Sequence, residues 1–286
     1  MVSARTGQRV LELFREFQNL NRFIVLDPKE NLSLAASHAL IEIQAHSGVD
    51  IGSLAAILEM PRTSVATLIG SLAKRRLVSI STSKIDGRLR LLKVTKRGAD
   101  FLQQSDRTVD AHLEAVLSPL DKSDQISLAH FFGEIADGMG TPPCNSRSEE
   151  HLVRHQLRRA TRALRLIHAD FMGAKLGSPE WQVLTKIKET GERKSISEIA
   201  AELGLFLSTT TTICNRLSKR GFTTSRKNPD DKRATAVCLT DQGEGFIQHV
   251  EQTMALRLEN ALLSIPAEQL RLKMNIFERV VAREQP

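Results

Sequence analysis

Sliding the chain along itself by 145 residues aligns 51–98 with 196–243 without a gap, and this repeat constrains the fold more than any other feature. Twelve of the 48 aligned positions are identical. They include Ala55/Ala200, Leu58/Leu203, Leu72/Leu217, Lys74/Lys219, Asp86/Asp231, Arg88/Arg233, Thr95/Thr240 and Gly98/Gly243. Phe101/Phe246, Leu117/Leu262 and Phe132/Phe277 hold the same offset outside the block. A chain of 286 residues has room for two such units, each able to bury its own core. The stretch 138–148 is rich in Gly, Pro and small polar residues and reads as a linker. The expected division is therefore 1–137, linker 138–148, and 149–286.

Within each unit the apolar periodicity is mostly that of helices. It predicts helices over 11–25, 33–45, 51–58 and 62–76 in the first unit. Two short strands over 77–81 and 89–94 follow, then helices over 95–117 and 123–136. The second unit repeats the order: helices over 149–175, 179–189, 196–203 and 208–220, a hairpin over 222–239, and helices over 240–263 and 267–283. The expected fold is mainly α with small β-hairpin wings: a winged helix-turn-helix domain, twice in tandem.

The helix after the short turn carries the chemistry. Val65, Leu68, Ile69 and Leu72 share one face, which turns Arg62, Thr63, Thr67 and Ser71 outward. In the second unit Thr210, Ile213, Cys214 and Leu217 face in, and Ser208, Thr209, Thr212 and Arg216 face out. Short hydroxyl side chains let a helix approach base edges in a major groove, where Arg makes paired hydrogen bonds to guanine. Charge concentrates on the same region. Arg75, Arg88 and Arg90 follow the first helix, and Arg226, Lys227, Lys232 and Arg233 follow the second. These are phosphate-binding candidates. Asp86-Gly87-Arg88 and Asp231-Lys232-Arg233 set an Arg two residues after an Asp at the tip of each wing. There the carboxylate is expected to pin the guanidinium, and the Arg to enter a narrow minor groove.

The net charge of +7 suits a polyanionic partner. Aromatic residues make up 4% of the chain, with Trp181 the only Trp, which disfavours a stacking platform for sugars or single strands. Three cysteines, Cys144, Cys214 and Cys238, form neither a disulfide framework nor a zinc ribbon. Cys214 and Cys238 read as small core residues, and a linker Cys144 as incidental. His151 and His155 share a helix face at i, i+4, where a solvated face is the better account than a metal. No membrane-span pattern, nucleotide loop or catalytic triad is visible, so the expectation is a cytoplasmic protein that is not an enzyme and has no cofactor. A tandem winged-helix protein–protein adaptor or chromosome-associated scaffold is the competing reading. It would not need a basic helix and wing in both repeats.

The runs Ile196-Ser-Glu-Ile-Ala-Ala-Glu-Leu-Gly-Leu, Ser208 to Phe222, Asn228-Pro-Asp-Asp-Lys-Arg-Ala and Leu239-Thr-Asp-Gln-Gly243 together resemble the MarR family of bacterial regulators. The first unit resembles it more loosely, through Leu72-Ala-Lys-Arg-Arg-Leu, Asp86-Gly-Arg88 and Val94-Thr-Lys-Arg-Gly98. The resemblance implies a pseudo-dimer within one chain, with first and last helices as platform and two winged lobes on a double-stranded DNA operator. It also implies a small-molecule effector in the crevice between platform and lobe. Arg76 stands where the family usually has Gly, and Gly70 weakens the first recognition helix. The first unit is therefore expected to meet DNA differently, on an operator that is an imperfect palindrome.

Overall fold

The computed structural model describes residues 4–20, 32–83, 86–141, 151–165, 176–191, 194–227 and 235–282. The first repeat contributes α1 (Ala4–Leu20), α2 (Leu34–Ala45), α3 (Ile51–Leu58), α4 (Arg62–Lys74), β1 (Val78–Thr82), β2 (Arg90–Val94), α5 (Lys96–Leu117) and α6 (Lys122–Gly138). The second contributes α7 (Leu152–Ala163), α8 (Ser178–Thr190), α9 (Ile196–Leu203), α10 (Leu207–Lys219), β3 (Thr223–Lys227), β4 (Thr235–Leu239), α11 (Asp241–Leu262) and α12 (Ala267–Val281). The mainly helical fold with two small hairpins is as the periodicity predicts. None of the described helices is long and apolar enough to cross a membrane.

The same local devices recur at the 145-residue offset. Asp50 caps α3 by accepting the Gly52 and Ser53 N–H groups at 2.7 and 3.2 Å. Ser195 and Glu198 form a reciprocal capping box at the start of α9. Each hairpin is antiparallel, with Val78 opposite Val94 and Thr223 opposite Leu239. Each gains a third rung from the residue before the short helix, Asp50 on Leu91 and Ser195 on Ala236. Thr95 and Thr240 cap the long helices by accepting the Gly98 and Gly243 N–H groups. Those glycines are required by proximity. A Cβ at Gly98 would lie 2.2 Å from the Leu77 carbonyl oxygen, and one at Gly243 would lie 2.1 Å from that of Phe222. Where α4 and α10 turn into their hairpins, Arg76 has φ 60° and Gly221 has φ 79°, so both repeats need the left-handed conformation.

Compactness divides the chain differently from the repeat. One unit is Ile24–Ala163; the other joins Met1–Phe23 to Leu164–Pro286. Each repeat's first helix thus lies in the other repeat's compact unit: α1 packs on α11 and α12, and α7 packs on α5 and α6. Only tertiary contacts reveal this, because the duplicated pattern is silent about which copy a helix joins.

Two helix boundaries need correction. Helix α1 begins at Ala4 rather than 11, although 4–9 has almost no apolar side chain. Its first turns dock by backbone approach instead. A Cβ at Gly7 would meet the Ala255 carbonyl oxygen at 2.1 Å, and Arg9 Nε reaches Glu278 Oε1 at 3.0 Å. The helix predicted over 149–175 is described as Leu152–Ala163, followed by a turn at 164–165 where Arg165 has φ 55°. The flanks 149–150 and 166–175 lie outside the described residues, as does the linker from 142 onward, including Cys144.

The His151/His155 face is likewise not simply solvated. It belongs to a seam where α7 buries Arg154, Arg159 and Arg162. His151 approaches Asp110 at 3.3 Å. Burial, with the Arg158 and Arg154 charges beside it, pulls His155 down to about 4. Among the described residues no cluster of three metal-ligating side chains forms. Cys214 and Cys238 are buried, and burial pushes the Cys214 thiol up to about 11, so it stays protonated.

Candidate nucleic-acid interface

In the 24–163 unit, α4 buries Val65, Ile69 and Leu72 completely. Each contributes about 2 kcal/mol of burial, and together they fix which face is left over. That face carries Arg62, Thr63, Thr67 and Ser71, all exposed. The Arg62 guanidinium lies over Gly52, where an added Cβ would come within 3.0 Å of it. Thr67 Oγ1 donates to the Thr63 carbonyl at 3.0 Å.

In the other unit, α10 buries Thr210, Ile213, Cys214 and Leu217 against a core that includes Val183, Leu184, Ile199, Val237 and Ile247. Trp181 and Phe246 pack edge-on beside it, with ring centroids 6.3 Å apart. Ser208, Thr209, Thr212 and Arg216 are exposed, as the spacing predicts. The threonine run, however, is not a row of free donors. Thr210, Thr211 and Thr212 donate to the carbonyls of Phe206, Leu207 and Ser208 at 3.2, 2.7 and 2.9 Å. The backbone occupies these hydroxyl protons, which leaves methyl groups and oxygen lone pairs for any ligand. Arg216 is also engaged, in an ion pair with the buried carboxylate of Glu180, which itself accepts the Gly177 N–H at 3.1 Å. The pairing orients Arg216 instead of leaving it to swing.

The wings show one clear difference from expectation. The Asp86 carboxylate does not pin the Arg88 guanidinium. Its Oδ1 accepts the Arg88 backbone N–H at 2.9 Å, closing a turn at the tip and leaving the Arg88 side chain exposed. The short spacing between the two residues favours the backbone partner. Arg90 is held across the hairpin by its partner in register, Nη1 donating to Thr82 Oγ1 at 3.2 Å. Arg75 is half-buried at the C-cap of α4. On the second hairpin Arg226 and Lys227 are exposed. Lys232 and Arg233 lie outside the described residues, as do Asp230 and Asp231.

Two side chains missed by the sequence reading stand at the start of α10. Phe206 is 67% exposed and Leu207 is 54% exposed. Their apolar character alone reads as core. Periodicity does not find them, because it sets Phe206 in line with Thr210 and Ile213, and Leu207 in line with Thr210 and Cys214, and the buried stripe ends before it reaches them.

The sequence model of the MarR family matches residues 176–235, from the entry to α8 to the start of β4. Over this segment the chain is similar to the MarR family. Among curated relatives, an uncharacterized HTH-type transcriptional regulator, YfiV of Bacillus subtilis (strain 168), is 28% identical over 110 residues, covering 38% of this chain and 66% of that protein. The HTH-type transcriptional repressor IacR of Pseudomonas putida is 36% identical over 77 residues, covering 27% of this chain and 46% of that protein. The chain thus spans between about half and two thirds of the lengths of the relatives it matches. A crystal structure of Streptococcus pneumoniae FabT in complex with DNA aligns at 17% identity with a TM-score of 0.37, covering 42% of this chain and 84% of that one.

Proposed function

We propose that the chain is a sequence-specific regulator of transcription that binds double-stranded DNA, each repeat laying its recognition helix in the major groove and its wing along the minor groove. The observation that carries the reading is recurrence. Two independently folded helices, α4 and α10, turn a small-residue face to solvent and run into a basic hairpin, at one offset in the chain. The names of the matched relatives, HTH-type transcriptional regulators and a repressor, support it. The repeats 1–137 and 149–286, joined by 138–148, act in this reading as the halves of a single-chain pseudo-dimer. They bind an operator of two unlike half-sites about one helical turn apart. The protein is a binder and not an enzyme.

A small-molecule effector fits the same reading. In the 24–163 unit a cleft of about 570 Å³ opens beside α5 and α7, lined by Gln44, Gln103, Asp106, Asp110, His151 and Arg154. Burial pushes the Asp110 carboxyl above its ordinary range against the opposing pull of Arg154, so the lining holds charge at close quarters. A polar molecule that re-pairs those groups would shift α7 and its unit.

The test is an electrophoretic shift of the full chain against fragments of its source genome at moderate salt, followed by footprinting. The expected result is a steeply salt-dependent shift and a footprint of two non-identical half-sites. No shift on any fragment, a strictly symmetric footprint, or a single half-site would overturn the reading.

A further inference from the structure

The two recognition helices begin with different chemistry at their exposed first residues. Helix α4 starts Pro61-Arg62, with Arg62 exposed above Gly52. Helix α10 starts Phe206-Leu207, and both side chains stand in solvent. Isolated exposed apolar residues are common, but this pair is oddly placed. It stands at the N-terminal end, directly before Ser208 and Thr209, of a helix that the MarR-family match includes. The threonine hydroxyl protons beside it are held by the helix's own carbonyls, so the pair extends a surface of methyl groups. From Leu207 to Lys227 the chain contains no acidic residue, while Arg216, Lys219, Arg220, Arg226 and Lys227 supply positive charge.

We infer that Phe206 and Leu207 read thymine methyl groups, so that the half-site under α10 is specified by thymines while the half-site under α4 is specified by guanine through Arg62. The inference rests on the proposed DNA-binding function and goes further, to the base identity that each lobe selects. The C5 methyl of thymine is the apolar group on the major-groove edge of an A·T pair, and phenyl and threonine methyl groups are the side chains that meet it. Guanine offers the O6/N7 pair that an arginine fork fits. An apolar protein partner would need a wider greasy patch. Here the two apolar side chains open a segment, Leu207 to Lys227, that carries hydroxyl groups and five cations and no acid, which matches a methyl group set in a polyanionic groove.

The experiment uses the full chain and the tightest duplex recovered by selection from a random pool. Each thymine is replaced in turn by deoxyuridine, which keeps base pairing and loses only the methyl. The expected result is that uracil at one or more positions in one half-site weakens binding about fourfold per methyl. In the F206A/L207A variant the wild-type and uracil duplexes should bind equally, with the guanine dependence of the other half-site intact. R62A should do the reverse. Both Phe206 and Leu207 are exposed, so an unchanged thermal melt is expected and separates lost contact from lost fold. If uracil costs nothing in the wild type, or costs the same in F206A/L207A, the inference falls while the proposed function stands. A drop in molar mass of F206A/L207A in light scattering, with DNA affinity unchanged, would assign the pair to contact between chains and overturn the inference as well. Failure to bind any duplex would sink the proposed function and this inference with it.

Discussion

Arg162 Nη1 donates to Glu42 Oε1 across 2.6 Å, with both side chains more than nine-tenths buried. One repeat earlier, the position of Arg162 is Phe17, which lies edge-on to Phe277 with ring centroids 5.6 Å apart. The same exchange runs along the helix. Where α1 buries Leu13, Phe14 and Phe17, α7 carries Arg158, Arg159 and Arg162. Arg158 pairs with Asp106 at 2.6 Å, and Arg159 pairs with Asp137 at 2.5 Å and reaches the Thr141 carbonyl at 2.9 Å. At these three positions α1 is held by apolar packing and α7 by ion pairs.

That contrast sets the first prediction. Glu42→Gln leaves the Arg162 charge buried without its counter-charge and should cost about 3–5 kcal/mol. Grafting the apolar set of the other repeat, Glu42→Ile with Arg162→Phe, should restore most of it, because Ile187 and Phe17 fill the equivalent positions. Urea unfolding of the three proteins decides the matter, and a double variant no better than the single one would contradict it.

Backbone strain should be removable at Arg76. Its φ of 60° suits glycine, which stands at the equivalent Gly221. Arg76→Gly should raise stability by about 1 kcal/mol. Gly221→Ala should lower it by a similar amount, since the new Cβ also lies 2.6 Å from Gln242 Oε1. Paired thermal melts would show opposite shifts.

The glycines inside the long helices tolerate no such change. Alanine at Gly98 or Gly243 sets its Cβ against a backbone carbonyl, and backbone cannot step aside as a side-chain tip can. Each substitution should lose about 3 kcal/mol. Calorimetry that found either variant within error of the parent would refute the close approach.

Acidification should weaken the 24–163 unit. Burial, reinforced by the Arg158 and Arg162 charges, holds His38 down to about 3, and His155 sits at about 4. Both stay neutral in the folded unit, while the unfolded chain takes up protons below about pH 6.5. Stability from these groups is thus full above that pH and is lost progressively as pH falls toward 3–4. Melting temperature should drop between pH 7 and 5, and His38→Gln should flatten the slope.

On the wing, Arg88→Ala and Arg90→Ala should each weaken DNA binding and reduce the log–log salt slope by about 0.9 if each neutralises one phosphate. Titrations at several salt concentrations check this. Unchanged affinity in both would remove the first wing from the interface.

Much of this protein was determined locally. The 145-residue repeat, the inward stripes of α4 and α10, the threonine caps before Gly98 and Gly243, and the hairpins all follow from periodicity and turn chemistry, which act over a few residues. The outward positions of Arg62, Thr63, Thr67, Ser71, Ser208, Thr209 and Thr212 follow from the same rule, because burying one helix face exposes the opposite one. What those exposed side chains bond to is not local. Glu180 holds Arg216 from 36 residues away, and the Asp86 carboxylate chose a backbone N–H over the guanidinium. Only tertiary structure decided that α1 joins α11 and α12 while α7 joins α5 and α6. A run such as Arg158-Arg159 reads as a solvated surface until the carboxylates that neutralise it, on α5 and α6, are brought within hydrogen-bonding distance.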